Sequence, residues 1–502
     1  MLIDYASPVD YLWALAPEWV LTITALVVLL VDVFQRGDRQ EPSRVGIAWL
    51  TAIGIGLAAV ANGWLLTLEE PSRAGPIAID AFRVYSNFLF LAAALLFIPL
   101  SWRYLGQERM RYGEIFVLIL FATVGMMFFA GTRDLMLIFL GLELMSVAIY
   151  VLTAVNRRDR RSAEAGLKYF LLGAFSSAFF LFGIALIFGG AGSVNLTVIR
   201  SAVGVDGVGA NMLLKAGMAM LLVGFGFKVA AVPFHMWTPD AYEGAPAPVT
   251  AFMAAAVKAA AFAAFLRVFL VGFIGLYEIW FALIAIMAFA TMIVANLIAL
   301  SEDSVKRMLA YSSIAHAGYL LVAVAAANEL GVSAFLYYLV VYTLMTMGAF
   351  AVVYVVAQRH ELRPGLSEYG GLGWKVPIVG ITMTVFLLSL AGVPPTGGFW
   401  GKFAILRAAV ERDKAWLAVT LVLTSLVSYY YYLRVAWYMW FREPDEAVAD
   451  RTIVVSPAVG AALVVAAIVV LLLGVFPGTM IDLAQQSAVA LTRAPFTGIA
   501  GP

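Results

Sequence analysis

Among the ionisable residues inside long apolar runs, five stand out: Glu143, Lys228, Lys258, His316 and Lys402. A charge at bilayer depth costs at least ~2.5–3.5 kcal/mol, so such residues are seldom there without a role. Lys228 lies about four turns into the apolar run 213–232, just ahead of Pro233. A lysine removed from water holds its proton less tightly, which makes proton exchange the chemistry open to it; the competing roles are a side chain reaching the interface or a static pair. Glu143, in Gly141-Leu142-Glu143-Leu144-Met145-Ser146, keeps its charge in such a setting only beside a cation. Lys228 is its natural partner, with a fixed pair that sets helix register as the bland alternative. Lys258 sits between Ala254, Ala255, Ala256 and Ala259, Ala260, Ala261, with nothing nearby in sequence to neutralise it. Small neighbours allow close helix packing and room for water. His316, beside Ser312, Ser313 and Tyr319, has two exchangeable nitrogens and an ordinary pKa near neutrality, which suit a relay between lysines; a hydrogen-bonded core histidine is the alternative. Lys402 follows Pro394-Pro395-Thr396-Gly397-Gly398, a helix-breaking stretch in the middle of another apolar run. By contrast, Lys168, Lys215 and Lys306 lie near helix ends and are expected to reach the interface, Lys168 with Glu164 one turn before it as an available partner. Asp240 and Glu243 read as capping or loop residues.

The elements that must hold these residues are membrane helices. The chain has 502 residues, of which 63% are hydrophobic and 13% charged, a mean hydropathy of +0.94 and a net charge of +1. That composition excludes an ordinary soluble domain, and the charge gives no face for nucleic acid. The absence of cysteine excludes disulfides and all-cysteine iron–sulfur ligation within the chain. The three histidines, His235, His316 and His360, suggest neither a metal site nor paired haem ligation, so any electron chemistry is expected elsewhere. With Asp4, Asp10 and Glu18 where a signal peptide needs basic residues, the first helix is expected to be retained.

Runs of roughly twenty apolar residues place about fourteen spans, near 15–34, 45–66, 81–102, 112–130, 135–155, 164–189, 213–232, 247–274, 277–300, 304–327, 332–357, 377–411, 415–441 and 454–476. The odd-numbered connections hold Arg36, Arg39, Arg44, Arg103, Arg109, Arg111, the Arg157 to Arg161 cluster, Lys306, Arg307, Arg359, Arg363, Lys375, Arg442 and Arg451. The even ones hold few, such as Arg73, Arg133 and Arg200, which predicts both termini on the outer side of the membrane. Spans seven and twelve are interrupted by proline, and each is the fourth of a five-helix block; five being odd, the second block enters inverted. The expected organisation is three N-terminal helices (1–106), a first repeat (107–275), a second, inverted repeat (276–443) and a last helix with a short tail (444–502).

The segment from Lys228 to Phe252, with Gly141 to Ser146, Glu164 to Phe170, Ser304 to Tyr319 and Pro394 to Phe403, closely resembles the antiporter-like membrane subunits of bacterial NADH:quinone oxidoreductase, respiratory complex I, and within them the N-subunit branch. The resemblance runs through both repeats. It implies an all-α fold of fourteen helices with discontinuous helices seven and twelve. It also implies a proton-translocating role, with Glu143 and Lys228 as a coupled pair, Lys258 as the central relay, His316 in the link and Lys402 as the proton site of the second half-channel. FMN, iron–sulfur clusters and quinone are then expected in other subunits, and the expected partners are a neighbouring antiporter-like subunit and a set of small membrane-arm subunits. The alternatives within reach are a subunit of a multisubunit sodium/proton antiporter and the M branch, usually described with a glutamate where this chain has Lys402. The short tail after the last span disfavours the L branch, which carries a long lateral helix.

Overall fold

A computed structural model describes residues 2–35, 44–71, 74–108, 112–204, 211–357, 365–443 and 453–492. Arg36, Arg39, Arg73, Arg109, Arg111, Arg359, His360, Arg363 and Arg451 lie outside the described residues. The protein is built of helices, among them α1 (Ala16–Gln35), α2 (Arg44–Trp64), α3 (Ala81–Gln107), α4 (Tyr112–Gly131), α5 (Leu135–Thr153), α6 (Arg160–Ala191), α7 (Met212–Val229), α8 (Ala247–Gly272), α9 (Tyr277–Ser301), α10 (Val305–Ala326) and α11 (Glu329–Ala357). Then come α12 (Pro377–Ala391), α13 (Gly397–Glu411), α14 (Ala415–Phe441), α15 (Pro457–Val475) and α16 (Gly478–Thr492). Among the described residues thirteen helices are long and apolar enough to cross a membrane. The twelfth expected span is the broken pair α12 and α13, each too short to cross alone. Helix α16, fifteen residues that pack on α11 and α3, was not foreseen: its Asp482, Gln485 and Gln486 dilute the apolar pattern.

Helix α8 is buried along its whole length and α10 at every residue but Arg307, so the centre of the molecule is where Lys258 and His316 sit. Close approach between helices depends on small residues. A Cβ on Gly125 would come 2.4 Å from the Met145 nitrogen, and one on Gly141 2.5 Å from the Phe129 nitrogen, so this glycine pair lets α4 and α5 touch backbone to backbone.

Both expected breaks are present, and they end alike. Helix α7 stops at Ala230, in the left-handed region at φ 60°, with the Ala231 N–H reaching back to the Gly226 carbonyl at 2.8 Å. Helix α12 stops at Gly392, φ 90°, with the Val393 N–H on the Leu388 carbonyl at 3.0 Å. These are Schellman-type closures, which satisfy carbonyls that proline would otherwise leave bare. After the first break the chain re-forms a short helix, Trp237–Gly244; after the second, α13.

Candidate proton-transfer site

Each candidate residue lies on a different helix, and the breaks decide where two of them deliver their charge. Lys228 is in the last turn of α7 and is buried; its Nζ donates to the Ser146 hydroxyl at 2.8 Å and the Tyr150 hydroxyl at 3.2 Å, both on α5. Lys402 starts on the far side of its break, in the second turn of α13, yet its Nζ reaches back to the Ala391 carbonyl of α12 at 2.9 Å and lies 4.8 Å from the Tyr319 ring centre. Gly392 leaves room for this: a Cβ there would sit 3.0 Å from Lys402 Cδ. The Lys402 ammonium therefore rests at the carbonyl end of a half-helix, where the aligned peptide dipoles favour positive charge, whereas Lys228 leaves the last turn of α7 to be held by the hydroxyls of α5.

The ion pair expected between Glu143 and Lys228 is not formed. The Glu143 carboxylate accepts a hydrogen bond from Ser177 of α6, and Ser146, one turn along α5, occupies the lysine. Glu143 is only half-buried, between the exposed Leu140, Leu144 and Val147.

Lys258 is buried, and its ammonium donates to both the carbonyl (2.8 Å) and the hydroxyl of Ser313 on α10. One turn further along α10, His316 is held from both sides: Nδ1 meets the Tyr338 hydroxyl of α11, and Nε2 the Tyr432 hydroxyl of α14 at 3.0 Å. Tyr432 also meets Ser312, and the rings of Tyr319 and Tyr342 each lie 5.3 Å from the imidazole. The structure thus joins Lys258 to the His316 cluster through α10 and brings Lys402 to its edge at Tyr319. No side-chain hydrogen bond joins Lys228 to Lys258 among the described residues. None of the three lysines forms an ion pair there; all are held by neutral oxygens.

Sequence reasoning missed the hydroxyl groups that hold these charges, Tyr150, Tyr338 and Tyr432 above all. An apolar helix reads a tyrosine as core; only the run Ser428 to Tyr432, one serine and four tyrosines, was a visible signal. It also passed over Arg267, fully buried in α8.

Three peripheral expectations change. Lys306 does not reach the interface: it is buried and donates to the Ala245 carbonyl at 2.7 Å. Asp240 and Glu243 are not loop residues, since they lie on the short helix Trp237–Gly244 and form ion pairs. Arg307 of α10 binds Glu243 at 2.9 Å and Asp240 at 3.3 Å. Lys168 of α6 pairs with Glu164 at 2.7 Å, as expected, and also with Asp240 at 3.1 Å. Partial burial opposes ionisation of Asp240, but Lys168 and Arg307 hold its carboxyl below the usual range. The segment after the first break is thereby tied by charge to both halves of the chain.

The family model described as NADH:quinone oxidoreductase/Mrp antiporter, TM, matches residues 132–428, which contain all five candidates. Subunit N of NADH-quinone oxidoreductase from Trichlorobacter lovleyi is 48% identical over 474 residues, 94% of this chain and 96% of that protein. The chain belongs to the subunit N family of NADH-quinone oxidoreductases. Subunit N 1 from Sorangium cellulosum is 43% identical over 95% of this chain and 98% of its own length. Among solved structures, a chain of respiratory complex I from Thermus thermophilus aligns with a TM-score of 0.79 at 36% identity, covering 93% of this chain and 99% of that one. A chain of the Mrp complex from Dietzia sp. DQ12-45-1b shares the fold, with a TM-score of 0.81, 95% and 97% coverage and 23% identity. As a member of the subunit N family the chain is an antiporter-like, multi-pass membrane subunit of the enzyme, involved in proton translocation, and this fits better than the sodium/proton antiporter or M-branch alternatives.

Proposed function

We propose that protons move through this subunit along Glu143, Lys228, Lys258, His316 and Lys402, driven by quinone reduction in other subunits that carry the FMN, iron–sulfur clusters and quinone. The observation that carries the reading is that Lys228, Lys258 and Lys402 are buried and bound only to neutral oxygens. Gain or loss of a proton at any of them breaks no ion pair, while their charges act on one another strongly in a low-dielectric interior. Closing and opening of a Glu143–Lys228 pair is the switch: both groups lie on facing helices with hydroxyl partners, Ser177 and Ser146, that each can exchange for the other. Water is the natural carrier across the interval between Lys228 and Lys258. In this reading the chain is divided as three N-terminal helices, two inverted repeats and a terminal segment, with its termini on the periplasmic side. Its partners are a neighbouring antiporter-like subunit and small membrane-arm subunits. The test is Lys228→Ala in the assembled complex in inverted membrane vesicles: NADH-driven proton pumping should fall sharply. Unchanged pumping and quinone reduction would remove Lys228 from the pathway.

A further inference from the structure

Lys258 and Arg267 close the two ends of one α-helical segment of α8, Lys258–Arg267. At 3.6 residues per turn and 1.5 Å per residue, a separation of nine positions puts them on opposite faces and roughly 13 Å apart along the axis. Their contacts follow that geometry. Lys258 reaches Ser313 on α10, whereas Arg267 donates through Nε to the Ala130 carbonyl of α4 at 2.7 Å and through its fork to both oxygens of Asp80 at 2.7 and 2.9 Å. Asp80 is itself fixed: it caps α3 by accepting the Arg83 N–H at 2.8 Å, and Arg133 lies 3.6 Å away while holding Glu70 at 2.6 and 2.8 Å.

The backbone on either side of this segment is π-helical, at Met253–Val257 and Val268–Gly272. A π turn holds an extra residue, and its place along a helix can shift while the remaining ladder stays intact. The stretch between two such turns is the part of α8 whose rotation its own hydrogen bonds fix least. Ala259, Ala260, Ala261, Ala263 and Ala264 make up half of it, so its steric keying rests on a few large side chains, chiefly Phe262 against Phe335 and Phe265 stacked on Phe225 at 5.0 Å. A one-residue shift would rotate Lys258 by about 100° and take the ammonium off Ser313.

We propose that the Asp80–Arg267 pair is a positioning device for Lys258, setting the rotation and depth of the segment so that the relay lysine faces α10. The idea deepens the proton pathway above and rests on Lys258 being a relay. Normal pumping by Lys258→Ala would remove that premise; impaired Lys258→Ala beside unaffected pair variants would remove only the positioning role.

The experiment compares Asp80→Asn, Asp80→Glu and Arg267→Lys in the assembled complex in inverted vesicles, with pumping measured per NADH oxidised across the neutral pH range. Asparagine keeps the cap on α3 and removes the charge; lysine keeps the charge and loses the bidentate fork. Asp80→Asn and Arg267→Lys should lower pumping on the order of tenfold, the scale expected for a misplaced reacting group, and displace its pH profile, with Asp80→Glu restoring most of both. Combined with Lys258→Ala, Asp80→Asn should produce no further loss, because both act through one group. Equal losses in the two backgrounds, or wild-type pumping and pH profile in either variant, would overturn the proposal. If the single variants fail to assemble, Asp80→Asn with Arg267→Met leaves out the buried guanidinium and is judged by the same outcomes; failure of that pair too would assign a purely structural role and also overturn it.

Discussion

Tyr432 is the side chain on which the central site turns, because one hydroxyl meets both Ser312 and His316 Nε2. A phenol both donates and accepts, so it joins the Ser312 hydroxyl to the His316 imidazole without holding a charge of its own. Tyr432→Phe keeps the ring and removes that junction. Pumping in the assembled complex should fall on the order of tenfold, the rate equivalent of ~1.4 kcal/mol, with quinone reduction in uncoupled vesicles less affected; equal pumping would show that the hydroxyl is a core contact only. Asp80, outside the spans, carries a second expectation. Burial works against its ionisation, but Arg267 and Arg133 hold its carboxyl far below the usual range. In the window between the ordinary aspartate value, about 3.9, and the lowered folded value, the unfolded state binds the extra proton. The pair's contribution is therefore complete above that ordinary value and is lost as pH falls through the folded one. Thermal unfolding of the purified complex should show this acid sensitivity, and Asp80→Asn should flatten it while lowering stability at neutral pH.

The helix breaks put ammonium groups where continuous helices would not. Lys228 comes from before its break and reaches the hydroxyls of α5, whereas Lys402 comes from after its break and reaches back to the last carbonyl of the preceding half-helix. Sequence reading located the breaks because proline is conspicuous in an apolar run. It did not show how the helices end, since Ala230 in the left-handed region carries no sequence signal whereas Gly392 does. Nor did it give the partners of Lys258 and His316, which depend on which faces of α8, α10, α11 and α14 meet; an almost uniformly apolar helix leaves its rotation unwritten. The second break also requires Gly398, where a Cβ would lie 1.9 Å from the Ser389 carbonyl oxygen. Since the obstacle is backbone, it cannot swing aside. Gly398→Ala should cost about 1–3 kcal/mol, the usual scale for overpacking, and lower both the unfolding midpoint and pumping by shifting α13 with Lys402; a variant as stable and active as the parent would show that the crossing has slack.

Across the whole molecule, the feature that points outward is Glu143. It is half-buried on α5, with Leu140 57% and Val147 54% exposed on either side. Such apolar neighbours suit lipid, but a carboxylate at that depth does not: intramembrane ionisable groups face protein or a wet cavity. Ser177 supplies one hydrogen bond, and a charged carboxylate accepts several. The α5 and α6 face around Glu143 is therefore expected to be covered by another membrane subunit, which would let the proposed Glu143–Lys228 switch sense charge across a subunit boundary. A photo-crosslinking residue at Leu144, 37% exposed next to Glu143, should capture a neighbouring membrane-arm subunit in the assembled complex. The same group at Leu423, 58% exposed on α14, serves as a reference position far along the chain. Lipid adducts alone from Leu144, in complex that pumps normally, would mean that Glu143 is shielded within this chain and that coupling does not enter through this face.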